Sequence, residues 1–359
     1  MSGDPGRRDP SSRRTRRSRW GRALAAFALA SLVALVAAEI AARILWGTPR
    51  RERLPMMEVR ANPRRGFELV PSSEHYTYLE RVRVNALGLR GPDLGEKAPG
   101  EARVLALGDS MIYGQGVAEE DTVTARLERE LAQGGGPRWR VVNGGIRAYE
   151  TLQEVALAEE LAPVVVPDVV VLYWFANDLE EHDVEGMSAR LALSGPIAFD
   201  LGEPARGRAL LAWRAKQVLR ASALVMKVHD AITASRHKPP TEQYVSEGFA
   251  KVGACFDRLA ALAREGGYDV LVAAIPIRDA VEGPDPSGEL VAAALALARE
   301  RGFATLDLLP APRAHRAERG EPPVSPFDGH SDGGAHGAIA RATAEAQREA
   351  FPQRFGAAR

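Results

Sequence analysis

The stretch VLALGDSMIYGQGV, Val104–Val117, fixes the frame for everything around it. Four apolar residues run into Gly108-Asp109-Ser110, and Gly114 and Gly116 follow within six residues. A short apolar run bounded by turn residues is the pattern of a buried parallel strand. The glycines beyond it let the backbone bend sharply and approach a ligand closely, so Ser110 is expected at the rim of a sheet, on a strand-to-helix turn.

The same rhythm repeats downstream. DTVTARLERELAQGGG reads as a helix capped by Asp121, with apolar residues at 123, 127 and 131 and glycines at its end. WRVVNGG reads as a second strand ending at Asn143, and TLQEVALAEEL as a second helix from Thr151. VPDVVVLYWFAND carries the longest strand signal, Val169 to Phe175. YDVLVAAIPI (268–277) and FATLDLL (303–309) supply two more strands, each after an alanine-rich amphipathic helix, and a last helix starts near Ala335. Such alternation implies a parallel sheet with helices on both faces.

One piece breaks the alternation. About 90 residues separate Asn177 from Tyr268, far more than a crossover needs. Within this insertion, about 180–245, residues 209–232 have helical periodicity, and read either as a helix packed on the sheet or as a lid or membrane-facing helix.

Upstream, Lys plus Arg equals Asp plus Glu at 47 each, which argues against a nucleic acid partner. The balance hides an asymmetry: eight arginines (Arg7, Arg8, Arg13, Arg14, Arg16, Arg17, Arg19, Arg22) stand before residue 23 against only Asp4 and Asp9. The uncharged run Ala23–Ala38 follows at once, and apolar residues continue past Glu39 to Trp46. A span needs roughly 20 apolar residues. Glu39 and Arg43 lie four apart and can pair on one helix face, and Trp20 and Trp46 bracket the segment as interfacial aromatics do. The expectation is a cytoplasmic basic tail (1–22), a transmembrane anchor (23–46) and an exported remainder; the competing reading is a cleavable signal peptide ending near Val36-Ala37-Ala38. Residues 47–100, rich in Pro, Arg and Glu, read as a juxtamembrane connector to a domain over 101–352. The single cysteine, Cys255, sits in an apolar helical context and reads as a buried thiol.

In a parallel sheet, ligands bind outside the carboxyl ends of the strands. Those ends carry Gly108-Asp109-Ser110, Asn143-Gly144-Gly145 and Asn177-Asp178, and near the C-terminus PFDGHSDGGAHGAIA holds Asp328, His330 and His336. Taken singly each patch has an ordinary explanation: Gly-Asp-Ser is turn chemistry, Asn-Asp a helix cap, and Asp-Gly-His a loop or a metal-ligand pair with no third ligand nearby. Together they hold what acyl transfer needs. A serine hydroxyl requires a base, His suits that role near neutrality, a carboxylate fixes the imidazole tautomer, and preorganised donors must meet the growing oxyanion.

These four patches resemble the SGNH hydrolase superfamily, the GDSL esterases, over about residues 76–350, and the lead-in VNALGLRGPDLGEKAPGEARVLALGDSMIYGQGV is similar to that of membrane-anchored bacterial members. The resemblance implies a flavodoxin-like three-layer α/β/α sandwich with a five-stranded parallel sheet in the order 2-1-3-4-5. It implies Ser110 as nucleophile, Asp328 and His330 as its partners, and the Ser110 N–H, Gly145 N–H and Asn177 side chain as oxyanion hole. Departures are Phe175, where the family places a glycine two residues before the asparagine, Ala335, where a glycine commonly follows the histidine, and a one-residue Asp–His spacing shared with acyltransferase-like relatives. The implied activity is a serine esterase, with an O-acyltransferase of envelope glycans and a non-catalytic glycan-binding module as rivals. Its partners would be an ester-bearing small molecule or glycan and the membrane. No cofactor is implied, for there is neither a P-loop lysine pattern nor a G-x-G-x-x-G opening a helix. His336 reads as a structural residue at a helix start, Asp109 as a turn brace, and Asp178 and Asp307 as caps. His75, His182, His229, His237 and His315 lack motifs and read as surface residues.

Overall fold

A computed structural model describes residues 10–134, 136–202, 206–236, 240–320, 324–325 and 327–356, with backbone alone over 10–19 and 234–236. Arg7, Arg8 and His237 therefore lie outside the described residues.

In chain order the elements are helix α1 (Pro10–Trp46), strands β1 (Glu58–Asn62), β2 (Gly66–Leu69), β3 (Glu74–Thr77), β4 (Glu80–Arg83) and β5 (Glu101–Gly108), then helices α2 (Ser110–Tyr113) and α3 (Val123–Gln133). They continue with β6 (Arg138–Gly145), α4 (Thr151–Val165), β7 (Val169–Trp174), α5 (Val184–Ser194), β8 (Ile197–Ala198), α6 (Gly207–Arg220), α7 (Ala223–Arg236) and α8 (Glu242–Gly266). The last are β9 (Asp269–Ala274), α9 (Arg278–Glu282), α10 (Gly288–Glu300), β10 (Ala304–Asp307), α11 (Pro310–Arg319), α12 (Gly333–Ala350) and α13 (Pro352–Phe355). The chain divides into two compact units, one of residues 1–49 with 218–236, the other of residues 50–217 with 237–359.

The larger unit is built on a five-stranded sheet in the order β10-β9-β7-β5-β6, all neighbours parallel. Counting only these strands, the order is 2-1-3-4-5, as the family resemblance implies. Alternation along β5 sorts its side chains: Leu105 and Leu107 enter one core with residues of α4, α8 and α10, whereas Val104 and Ala106 enter the other with α3 and α12. The three layers follow from that period of two. Each fully buried Leu or Val contributes about 1.5–3 kcal/mol against exposure, and β5 and β7 are buried at nearly every position. Cys255 is buried in α8, which raises its thiol to about 12.

Three details differ from the sequence expectations. Helix α3 begins at Val123 with Thr122 as its cap, while Asp121 pairs with Arg126 at 2.6 Å. The periodic stretch 209–232 is two helices, because the Ser222 hydroxyl accepts from Val225 N and starts α7 afresh. The segment read as a connector carries four strands. β1 pairs with both β2 and the insertion strand β8, and Met57, Val59, Phe67, Leu69, Val82, Val84 and Leu89 join the main core. Their apolar positions are single and interleaved with Arg and Glu, so no run announces them.

In the smaller unit α1 is one continuous helix. Its stretch Trp20–Trp46 reaches a mean hydropathy of 2.3 and is the one helix among the described residues long and apolar enough to cross a membrane.

Candidate active site

The end of β5 builds the first part of the site. Asp109 caps α2, its Oδ1 accepting from Met111 N at 2.8 Å, and Ser110 opens that helix. The turn is very tight. A Cβ on Gly108 would lie 2.5 Å from Ile112 Cγ1, and one on Gly145 only 2.1 Å from the Tyr113 nitrogen. Glycine is required at both places, because α2 folds back against the ends of β5 and β6.

A buried arginine locks this loop from outside. Arg90, from the VNALGLRG stretch, donates from Nη1 to the carbonyls of Tyr113 (2.8 Å) and Gly114 (2.7 Å), and from Nη2 to that of Val117 (2.7 Å). Its guanidinium is thereby spent on holding the backbone that follows Ser110.

The C-terminal loop supplies the partner. His330 Nε2 lies 2.9 Å from Ser110 Oγ, a hydrogen bond that joins residues 220 apart in sequence. Asp328 Oδ1 stands 3.7 Å from His330 Nδ1, an ion-pair distance, and accepts from the His330 N–H at 3.0 Å. The single intervening residue, Gly329, has φ +75°, which lets one carboxylate face both the backbone and the ring of the same histidine. Burial raises the Asp328 carboxyl, but contacts with His330 and the Tyr78 side chain outweigh it and hold the group well below the usual carboxylate range. Arg50 Nη1 is 4.0 Å from Asp328 Oδ2.

Tyr78 and Arg50 went unnoticed in the sequence. Tyr78 occupies the turn of the β3–β4 hairpin with φ +55°, a conformation that costs a non-glycine residue of order 1 kcal/mol or more. Nothing in a lone tyrosine between Thr77 and Leu79 marks it; its role arises only when the hairpin meets the loop of Asp328.

The expected donors Gly145 and Asn177 also lie at the strand ends, each already engaged. Gly145 N–H donates to Asn143 Oδ1 at 2.9 Å, and Asn143 Nδ2 donates to the Ile112 carbonyl at 3.1 Å. Asn177 Nδ2 donates to Asp109 Oδ2 at 3.2 Å. An amide carries two N–H groups, so Asn177 retains a donor beyond that bond, whereas Gly145 has one to share.

Several other titratable groups near the site make contacts that hold the fold. His336 is buried inside α12, its Nδ1 accepting from Val123 N at 3.1 Å, and burial lowers its pKa to about 3. Asp178 accepts from Phe175 N and Asp307 from Leu309 N, each at 2.9 Å, as caps do. His75 is not at the surface: it is buried, bonded to the Tyr113 hydroxyl, and lowered by burial to about 3. Beneath the site, burial and then the like charge of neighbouring carboxylates (Asp178, Asp109 and Glu150 on Glu154; Asp109 and Glu150 on Asp178) push the Glu154 and Asp178 carboxyls well above their ordinary range, and burial also raises Asp109. Among the described residues no cluster of three His, Cys, Asp or Glu is arranged to hold a metal.

No protein-family model and no curated protein matches the sequence. Solved structures do resemble it. One is TesA, at 17% identity and a TM-score of 0.41, covering 69% of this chain and 98% of TesA. Another is a lipase/acylhydrolase from Enterococcus faecalis, at 14% identity and a TM-score of 0.39, covering 69% and 96%. A third is AlinE4, an SGNH-hydrolase family esterase, at 14% identity and a TM-score of 0.33, covering 59% and 77%. Likeness at this level does not carry function, which has to be argued from the site.

Proposed function

We propose that the chain is an SGNH-type serine esterase, tethered to a membrane by α1, that works through an acyl-serine intermediate. The observation carrying this reading is the 2.9 Å contact between Ser110 Oγ and His330 Nε2 at the carboxyl edge of a parallel sheet. His330 takes the Ser110 proton as Oγ attacks the ester carbonyl, and returns it to the departing alkoxide. Water, deprotonated by the same nitrogen, then releases the acyl group. Asp328 holds the ring with its proton on Nδ1 and stabilises the imidazolium. The oxyanion is met by Ser110 N–H, by the second Asn177 N–H and by Gly145 N–H, whose bond to Asn143 is shared or released as charge develops. Short-chain or carbohydrate O-acyl esters are the substrate class of this reading, and the arginine excess before Ala23 supports a site on the exported side.

Hydrolysis of p-nitrophenyl acetate by the full-length protein tests the reading. Turnover should be present in the parent and lost in Ser110→Ala, with both proteins folded. Equal rates in the two, or no rate in either across short-chain esters, would refute it.

A further inference from the structure

The smaller unit contains a second helix whose position on α1 is set by a carboxylate. Glu39 Oε2 accepts from the Ser222 hydroxyl at 2.7 Å and from Leu224 N at 3.1 Å; its Oε1 accepts from Ala223 N at 3.0 Å and from Arg43 Nε at 2.6 Å. Arg43 Nη2 in turn donates to the Ala221 carbonyl at 2.7 Å. The first turn of α7, whose N–H groups would otherwise need water, is thus closed by a side chain of the apolar helix.

That arrangement matters because of where Glu39 stands. It precedes Trp46 by seven residues, so with Trp46 at headgroup level the carboxylate lies about 10 Å deeper. A lone carboxylate and open backbone donors are both costly in hydrocarbon, and here each satisfies the other.

The outward surface of α7 agrees. Val225, Val228 and Ile232, on one face, are 40%, 52% and 46% exposed, and Val218 and Leu219 just before it are 75% and 59% exposed. They continue the exposed apolar surface of α1 at Leu35, Val36, Ile40 and Ile44. Between the helices runs an open cleft of about 470 Å³, walled chiefly by Leu35, Val36, Ile40, Val218, Leu224 and Val225. Lys227 Nζ sits 6.0 Å from the Trp46 ring, a cation beside an interfacial aromatic.

We propose that α7 is a second membrane-contacting element, docked on α1 by Glu39 with its Val225–Val228–Ile232 face against the bilayer and a lipid chain in the cleft. This rests on α1 being a membrane span. The occupant is lipid rather than a second copy because the apolar face is continuous with the span's own surface and begins at the depth of Glu39.

The test uses full-length protein with Cys255→Ala, reconstituted in phosphatidylcholine–phosphatidylglycerol vesicles. Single cysteines at Val228, Ile232, Thr233 and, on α1, Leu32 carry an environment-sensitive fluorophore. Doxyl-labelled lipid should quench the labels at 228, 232 and 32 several-fold more than the label at 233, which iodide should reach. Glu39→Leu should abolish lipid quenching at 228 and 232 and leave it at 32. Iodide access at 228 and 232 with lipid quenching kept at 32 would overturn the proposal and leave the span intact. Shielding of 228 and 232 from both quenchers would mean a protein partner and would also overturn it. Loss of lipid quenching at 32 would overturn the span and the proposal together.

Discussion

His330 and His336 are six residues apart, and the fold gives them opposite surroundings. His330 is half-buried at the sheet's rim, with one ring nitrogen on Ser110 Oγ and the other facing Asp328. His336 is buried in α12, caps the start of α3 through Nδ1, and is held neutral by burial. Residue type alone does not make a base; a base must be able to gain charge where its proton donor sits. The core position forbids it by desolvation.

The largest expected effect separates the two directly. His330→Ala should lower kcat on a short-chain ester by about 10⁴–10⁶ with little change in melting temperature. His336→Ala should keep most of its turnover but lose about 1–3 kcal/mol of stability, because Val123 N–H is left unpaired. Steady-state kinetics and thermal melts on both variants read this out, and the reverse pattern would exchange their roles.

Next is Asn177. As an oxyanion donor its loss to alanine costs about 10²–10³ in kcat; as a cap it would cost about 0.5–2 kcal/mol of stability. We expect the kinetic loss, with KM nearly unchanged. A normal kcat with a lowered melting temperature would leave the oxyanion to the Ser110 and Gly145 backbone.

A smaller effect is expected at Tyr78, whose side chain hydrogen-bonds Asp328. Tyr78→Phe should reduce kcat about 2–10-fold at constant KM, the size of one hydrogen bond's contribution. An unchanged kcat would make the hairpin a cover only.

The mildest test is the pH dependence of stability. His336 has a folded pKa of about 3, below its ordinary value near 6.5, so its contribution is complete above about 6.5 and is lost as the pH falls toward 3. Glu154 runs the other way. Its folded pKa is raised, so the folded state keeps a proton that the unfolded chain releases, and stability declines as the pH rises above the ordinary carboxylate range. Glu154→Gln should therefore raise the melting temperature at pH 8 more than at pH 4.5. An equal shift at both would mean that Glu154 is ionised in the fold.

Much of this was visible in the sequence because it is written in local patterns. The five sheet strands are short apolar runs ending in turn residues, and Ser110, Gly145, Asn177, Asp328 and His330 sit at the ends or loops where such strands deliver side chains. The hidden parts depend on long-range contacts. Arg90 gives no sign that it will grip three carbonyls about 25 residues away, and β1–β4 bury isolated residues among charges. The break at Ser222 was missed because apolar periodicity continues through it, while the cap that creates it is partly supplied by Glu39, 183 residues earlier. His75 was misread as a surface residue for the same reason: its burial comes from Tyr113, which no neighbour in sequence announces.

The central claim is that Ser110 is a nucleophile activated by His330, and a mapped covalent adduct tests it most directly. Full-length protein treated with a fluorophosphonate and digested with trypsin should carry the adduct on the peptide Val104–Arg126, at Ser110, and His330→Ala should label far more slowly. An unlabelled protein, an adduct on another residue, or equal labelling of the His330→Ala variant would contradict it.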